Sequence, residues 1–266
     1  MQADQIEVNR ENLETIAALE FDTETFKSVD PCGIVYELAA HTSRQLDIEL
    51  GGLLTAMISW GNRKCIRKAA HHMLADEMQW SPSTFILEQR YQGSYGNGAM
   101  GNCCVYRTLN REAFIAVCDN LHAVLTAEQD RRGRRDITLE VCLEGLPARE
   151  AIGRMAEWLA PAKMGVMGRS ACKRICMFMR WMVRTAAPDF GLWKSRPASD
   201  LYAVLDVHVC TLAAPLMKRK QASWAACEEL TSVFRQWDPA DPLKYDIALM
   251  VLADMQAKEN SRQVAK

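Results

Sequence analysis

Residues 170–184 read SACKRICMFMRWMVR, and residues 201–214 read LYAVLDVHVCTLAA. In the first stretch Ile175, Phe178, Met179 and Met182 recur at helical spacing, which predicts an apolar helix over Ala171–Arg184. On the same wheel Lys173, Arg180 and Arg184 share a different face. In the second stretch Asp206 follows an apolar run and precedes helical spacing, the position of an N-cap whose carboxylate receives first-turn amides. His208 falls in that first turn. Taken singly, each residue has a plain structural reading: a first-turn lysine on a core helix, a capping aspartate, and a packed or surface histidine.

Outward from these stretches the helical signals continue. Residues 46–60 are apolar nearly all round, which predicts a central buried helix. Asn62 is placed to cap the next one, whose first two turns carry Arg63, Lys64, Arg67 and Lys68. Cations at that end oppose the helix dipole, so an offsetting anion is expected there. Helices are also predicted near 110–127, 147–159, 206–217 and 223–237, the last with Cys227, Leu230, Val233, Phe234 and Trp237 inward. Asp241-Pro242 is read as the cap and first-turn pair of a final helix ending near Met255. Glycine-rich 91–102, the Glu128–Asp136 segment around RRGRR, and 185–205 are read as loops. The methionines of the 171–184 helix read as core filler, and RRGRR and Lys218-Arg219-Lys220 as solubilising loops. No repeat and no convincing strand is seen. The expected organisation is a polar segment over 1–28, one helical domain over 29–256 and a frayed tail over 257–266.

Composition narrows the function classes. The 266 residues are 49% hydrophobic, enough to bury a large core in one domain or two closely packed lobes. Net charge is −1, so any nucleic-acid site must be a local patch and not a basic coat. The opening MQADQIEVNRENLE is polar and acidic, unlike a secretory signal, and no apolar run is long enough to span a bilayer. The expectation is a soluble cytoplasmic protein, nucleoid-associated if bacterial. The ten cysteines contain no CxxC pair and fall mostly in apolar helical runs, the pattern of reduced core thiols and not of a metal centre.

Together, a turn, a lysine at the head of an apolar helix, a loop, and Val-Leu-Asp-Val-His at a helix start resemble the helix-hairpin-helix (HhH-GPD) superfamily of base-excision DNA glycosylases. The likeness is greatest to the 8-oxoguanine branch. The chain resembles more closely still an uncharacterised bacterial family of unknown function placed in that superfamily, through SACKR…MFxRWMVR, LDxHV and DPxDPxKYDxAL. The resemblance runs from about residue 30 to 255. It implies an all-α, two-lobed helical bundle. The iron–sulfur cluster of some members is not expected, because Cys227 is the sole cysteine beyond Cys210.

The resemblance also implies roles. Lys173 falls on the lysine nucleophile, Asp206 on its partner aspartate and His208 on a phosphate-contacting histidine. Asn62 would fill the gap left by a flipped base, and Arg67 would face the orphaned partner base. Arg63, Arg169, Ser170 and Arg174 complete the expected backbone contacts, and Trp60, Met177, Trp193 and the last helix the base pocket. Arg174 and Arg180 are expected to help lower the lysine pKa. The implied activity is excision of a damaged base followed by strand cleavage, a DNA-repair glycosylase and lyase needing no metal or organic cofactor and no obligate protein partner. Damaged duplex DNA is the expected partner, with structured RNA as the alternative polymer. Two departures stand out. Gly168-Arg169-Ser170-Ala171-Cys172 replaces the usual Leu-Pro-Gly-Val-Gly hairpin, and Lys173 and Asp206 lie 33 residues apart, a longer separation than usual, with Trp193, Lys194 and Arg196 between them. Three other readings stay open: a nucleic-acid-binding protein that kept the fold without turnover, a helical protein-interaction scaffold, and a cysteine hydrolase built on Cys210 and His208.

Overall fold

Residues 6–95, 103–163 and 170–264 are described by a computed structural model, and among them most are helical. The chain separates into two units, one formed by Met1–Phe21 with Gly165–Lys266 and the other by Asp22–Met164. The stretch expected to be a polar segment holds α1 (Arg10–Ala17) in the first unit and α2 (Thr23–Val29) in the second. Both begin on a side-chain cap: Asn9 accepts from the Asn12 amide at 2.9 Å and Asp22 from the Thr25 amide at 3.0 Å. Leu13, Ile16 and Phe26 are buried, apolar anchors that a polar average conceals.

In the second unit, α3 (Cys32–His41) leads to α4 (Gln45–Ile58), which is buried from Leu46 to Ile58, as its all-round apolar pattern predicts. Two acids interrupt that pattern, and each caps another helix. Asp47 accepts from the Ser83 amide at 2.7 Å, at the start of α6 (Pro82–Leu87). Glu49 accepts from the Leu139 amide at 2.6 Å, at the start of α8 (Leu139–Cys142). Between α4 and α6, α5 (Arg63–His71) starts on Asn62, whose side chain accepts from the Cys65 amide at 3.2 Å, and runs into a π-helical turn over His72–Glu77.

The expectation of no strand needs correction. A short antiparallel hairpin pairs β1 (Cys104–Tyr106) with β2 (Leu109–Asn110). Buried Tyr106 and Leu109 hold it, and the Tyr106 hydroxyl donates to the Trp60 carbonyl at 2.9 Å. It is too short to show a period in sequence. A second correction concerns the charged loop at Glu128–Asp136. Helix α7 (Arg111–Arg132) continues through half of it, because Glu128 pairs with both Arg131 and Arg132, and stops at Gly133, whose φ of 63° is the usual left-handed helix ending. Helix α9 (Ala148–Trp158) completes this unit.

The first unit is built on α10 (Lys173–Val183), α11 (Val207–Leu212), α12 (Trp224–Trp237) and α13 (Lys244–Val264). Helix α13 packs against α1 and α11. Tyr245 lies among Phe234 and Trp237 and donates its hydroxyl to Glu14 at 2.9 Å. Helix α13 runs past residue 256, where the domain was expected to end, since no glycine or proline interrupts 244–264. Among the described residues no helix is long and apolar enough to cross a membrane.

Glu49→Leu would keep the helix apolar while stripping the acceptor from the Leu139 amide. It is expected to lower unfolding free energy by about 2 kcal/mol; an unchanged urea midpoint would refute the capping role. The Glu128 carboxyl is held down to about 2 by the Arg131 hydrogen bond first and Arg132 next, against an ordinary 4.5. Its stabilisation is therefore complete above pH 4.5 and lost as pH falls through about 2. The stability gap between wild type and Glu128→Gln should be widest above pH 4.5 and close toward pH 2, followed by denaturation across that range.

Candidate active site

Lys173 is the first residue of α10, and Asp206 is the residue on which α11 starts. The Lys173 ammonium donates to Asp206 Oδ2 at 2.7 Å, while Asp206 Oδ1 accepts from the Val209 amide at 2.8 Å. One carboxylate thus caps a helix and neutralises a cation at the head of another. A lysine at a helix start opposes the dipole, and the aspartate offsets that penalty. The side chains remain 36% and 27% exposed, so the pair is accessible from solvent. Burial alone would raise the Asp206 carboxyl. The Lys173 charge, its hydrogen bond and the Val209 amide outweigh burial and hold the carboxyl below its ordinary value.

The turn before Lys173 is informative. Cys172 caps α10 with φ 50° and ψ 32°, the left-handed region, and its amide donates to Ser170 Oγ at 3.2 Å. Left-handed backbone costs a residue with a Cβ on the order of 1 kcal/mol, and glycine adopts it readily. Cys172 thus holds, with a Cβ, a backbone conformation that glycine favours. Met177, one turn beyond Lys173, and Ser170 are half-buried, as is Arg174, whose guanidinium is drawn below its ordinary value by burial. His208 is exposed in the first turn of α11, and beside it Val207 is 71% exposed.

Several expected site residues are occupied elsewhere. Arg180, expected to act on Lys173, is buried together with Arg184 in an ionic cluster. Arg180 donates to Asp246 at 2.8 Å and to Asp189 at 3.2 Å; Arg184 reaches Asp189 at 3.3 Å and Asp241 at 3.0 Å. With two guanidiniums set against three carboxylates, the cluster offsets the charge of Arg180, which corrects its expected role beside Lys173. Burial raises the Asp189 carboxyl despite both arginines. Asp241, expected as a helix cap, gives its carboxylate to Arg184.

The 185–205 loop is likewise folded back. The amides of Phe190 and Trp193 close the carbonyls of Trp181 and Met182 at the end of α10, each at 2.8 Å. Trp193 is 2% exposed, edge-on to Phe178, so it belongs to the core and not to an open pocket. Lys194 donates to the Gly191 carbonyl, and the Arg196 side chain is 7% exposed beside Asp200.

In the Asp22–Met164 unit, Arg67 clasps the end of α2, donating to the Lys27 and Asp30 carbonyls at 2.7 Å each. That corrects its expected exposure to a partner base. Asn62 and Arg63 are exposed, and half-buried Trp60 carries the Arg107 guanidinium 4.2 Å over its ring. Arg169 lies outside the described residues.

Sequence reasoning missed Asp189 and Asp246. The available signal was a pair of arginines one turn apart in an otherwise apolar helix, which need buried acids as partners. Those acids lie partly in the DPxDPxKYD segment. A family model described as a protein of unknown function (DUF2400) matches residues 30–254. The chain belongs to that family. No curated protein and no solved structure matches it. Within this DUF2400 chain the matched span contains Lys173, Asp206 and the whole buried cluster.

Asp206→Asn would keep an oxygen for the Val209 amide, whereas Asp206→Ala removes the cap as well as the charge. The alanine variant should be less stable than the asparagine variant by about 1 kcal/mol in urea denaturation. Equal stability would mean that the cap contributes nothing.

Proposed function

We propose that this DUF2400 protein is a base-excision DNA glycosylase with AP-lyase activity, in which Lys173 attacks the sugar of a damaged nucleotide. The observation that carries the reading is the accessible Lys173–Asp206 contact of 2.7 Å at two helix starts. The left-handed Cys172 backbone immediately before the lysine supports it.

A lysine attacks only as the neutral amine. Asp206 Oδ2 lies within hydrogen-bonding reach of the ammonium and is the group positioned to take its proton. The nucleotide must first leave the duplex, at a cost of a few kcal/mol. The amine then forms a bond to C1′, and the bond from C1′ to the base breaks. The base departs with that electron pair and takes a proton. Opening of the C1′–O4′ bond, with a proton passing to O4′, leaves a protonated imine between the sugar and Lys173. Loss of a C2′ proton then expels the 3′ phosphate and cuts the strand.

Ser170, Arg174 and exposed His208 are assigned to the phosphates near the lysine, and Met177 to the wall of the base pocket. Asn62, Arg63 and Trp60 are assigned nucleic-acid contacts of the Asp22–Met164 unit by itself. Damaged duplex DNA is the proposed substrate.

The test is borohydride trapping on a duplex carrying an abasic site, with Lys173→Gln as control. A covalent adduct that disappears in the control is expected. Duplex binding without an adduct would leave a binding protein on the same fold, and neither adduct nor binding would end the nucleic-acid reading.

A further inference from the structure

The segment that delivers Asp206 is anchored just before it. The Val204 amide donates to Asp246 Oδ1 at 2.8 Å. Ala203 is held at both ends by α12: its amide donates to Thr231 Oγ1 at 3.0 Å, and its carbonyl accepts from Cys227 Sγ at 3.2 Å. The other oxygen of Asp246 accepts from Arg180 at 2.8 Å, and Arg180 stands two turns along the helix that Lys173 begins. A closed path therefore runs from Lys173 through α10 to Arg180, across Asp246 to Val204, on to Asp206 and back to Lys173.

We propose that Asp246 is a positioning residue for the Lys173–Asp206 pair, setting the register between α10 and the Asp206 segment; its catalytic consequence rests on the function proposed above. Asp246 is 4% exposed, and its two oxygens serve the two arms of the site separately. An uncharged isostere cannot serve both. In Asp246→Asn the amide oxygen can still receive the Val204 amide, but its NH2 then faces the Arg180 guanidinium, donor against donor. Turned the other way, it leaves Val204 without an acceptor.

Arg184 supplies the control. It belongs to the same buried cluster, yet its contacts run to Asp189, Asp241 and the carbonyls of Ala186 and Ala187, none of them on 203–206. Three quantities are measured on the full chain for wild type, Asp246→Asn, Arg184→Lys and Thr231→Val: amide hydrogen exchange at Val204 and Val209, affinity for the abasic duplex, and the single-turnover trapping rate at saturating duplex. Asp246→Asn is expected to speed exchange at both amides and to slow trapping on the order of tenfold or more, with affinity little changed. Thr231→Val should act in the same direction, and it carries the test if Asp246→Asn does not fold. Arg184→Lys should lower the denaturation midpoint while leaving Val209 exchange and trapping rate as in wild type. Unchanged Val209 exchange in Asp246→Asn and Thr231→Val, or an equal loss of trapping in Arg184→Lys, would overturn the proposal. Absence of an adduct with wild type would instead refute the glycosylase reading, while the exchange data would still decide whether Asp246 positions Asp206.

Discussion

The buried contact between Arg180 and Asp246 is the constraint on which the Lys173 unit depends. Taking a guanidinium and a carboxylate out of water costs several kcal/mol for each ion, and their attraction repays this only in good geometry with the remaining lone pairs and protons used. Here those sites are used. Asp246 also receives a backbone amide, and Arg180 also reaches Asp189. Such pairs add little net stability over well-packed apolar residues, yet losing one partner is severe because it strands a buried charge. The consequence is registration. Helix α10, the 185–205 segment and α13 must dock together, since any one out of place leaves a charge unmatched.

That constraint joins three segments that are far apart in sequence. RWMVR brings the two arginines, DPxDPxKYD brings Asp241 and Asp246, and LDxHV follows the amide that Asp246 receives. The long segment between Lys173 and Asp206 is folded back on its own unit. It closes the carbonyl end of α10 with its own amides, contributes Asp189 to the cluster and returns the chain to the start of α11.

Helix starts were the most legible part of the sequence. Asn62 and Asp206 cap helices as their positions predict, because a cap is a local event between a side chain and an amide two or three residues on. The buried helix α4 was legible from its apolar run, but the work of its two acids was not. Glu49 caps a helix about 90 residues later, and nothing near it in sequence indicates the partner. The same blindness grouped Arg180 and Arg184 with Lys173 on one helix face, since a charge on a helix wheel has no stated depth. Trp193 failed for the opposite reason. An aromatic in a long polar loop invites a ligand, yet the loop folds onto α10 and encloses the ring.

The candidate site combines two requirements that pull in opposite directions. Folding favours a charged Lys173 beside a charged Asp206, because each offsets the other at a helix start where a lone lysine is disfavoured. Nucleophilic attack on the proposed reading requires the lysine to be neutral. Asp206 reconciles the two through the division of its oxygens. Oδ1 stays committed to the Val209 amide and keeps the helix start in place, while Oδ2 faces the amine. On the proposed reading, transfer of a proton to Oδ2 removes both charges together, so no uncompensated charge is left at the two helix starts. A carboxylate held in this way has to be placed by its backbone, since its side chain has no freedom left to search. The polar anchors at Ala203 and Val204 supply that placement, which is why two buried positions, Thr231 and Asp246, bear on a pair they never touch.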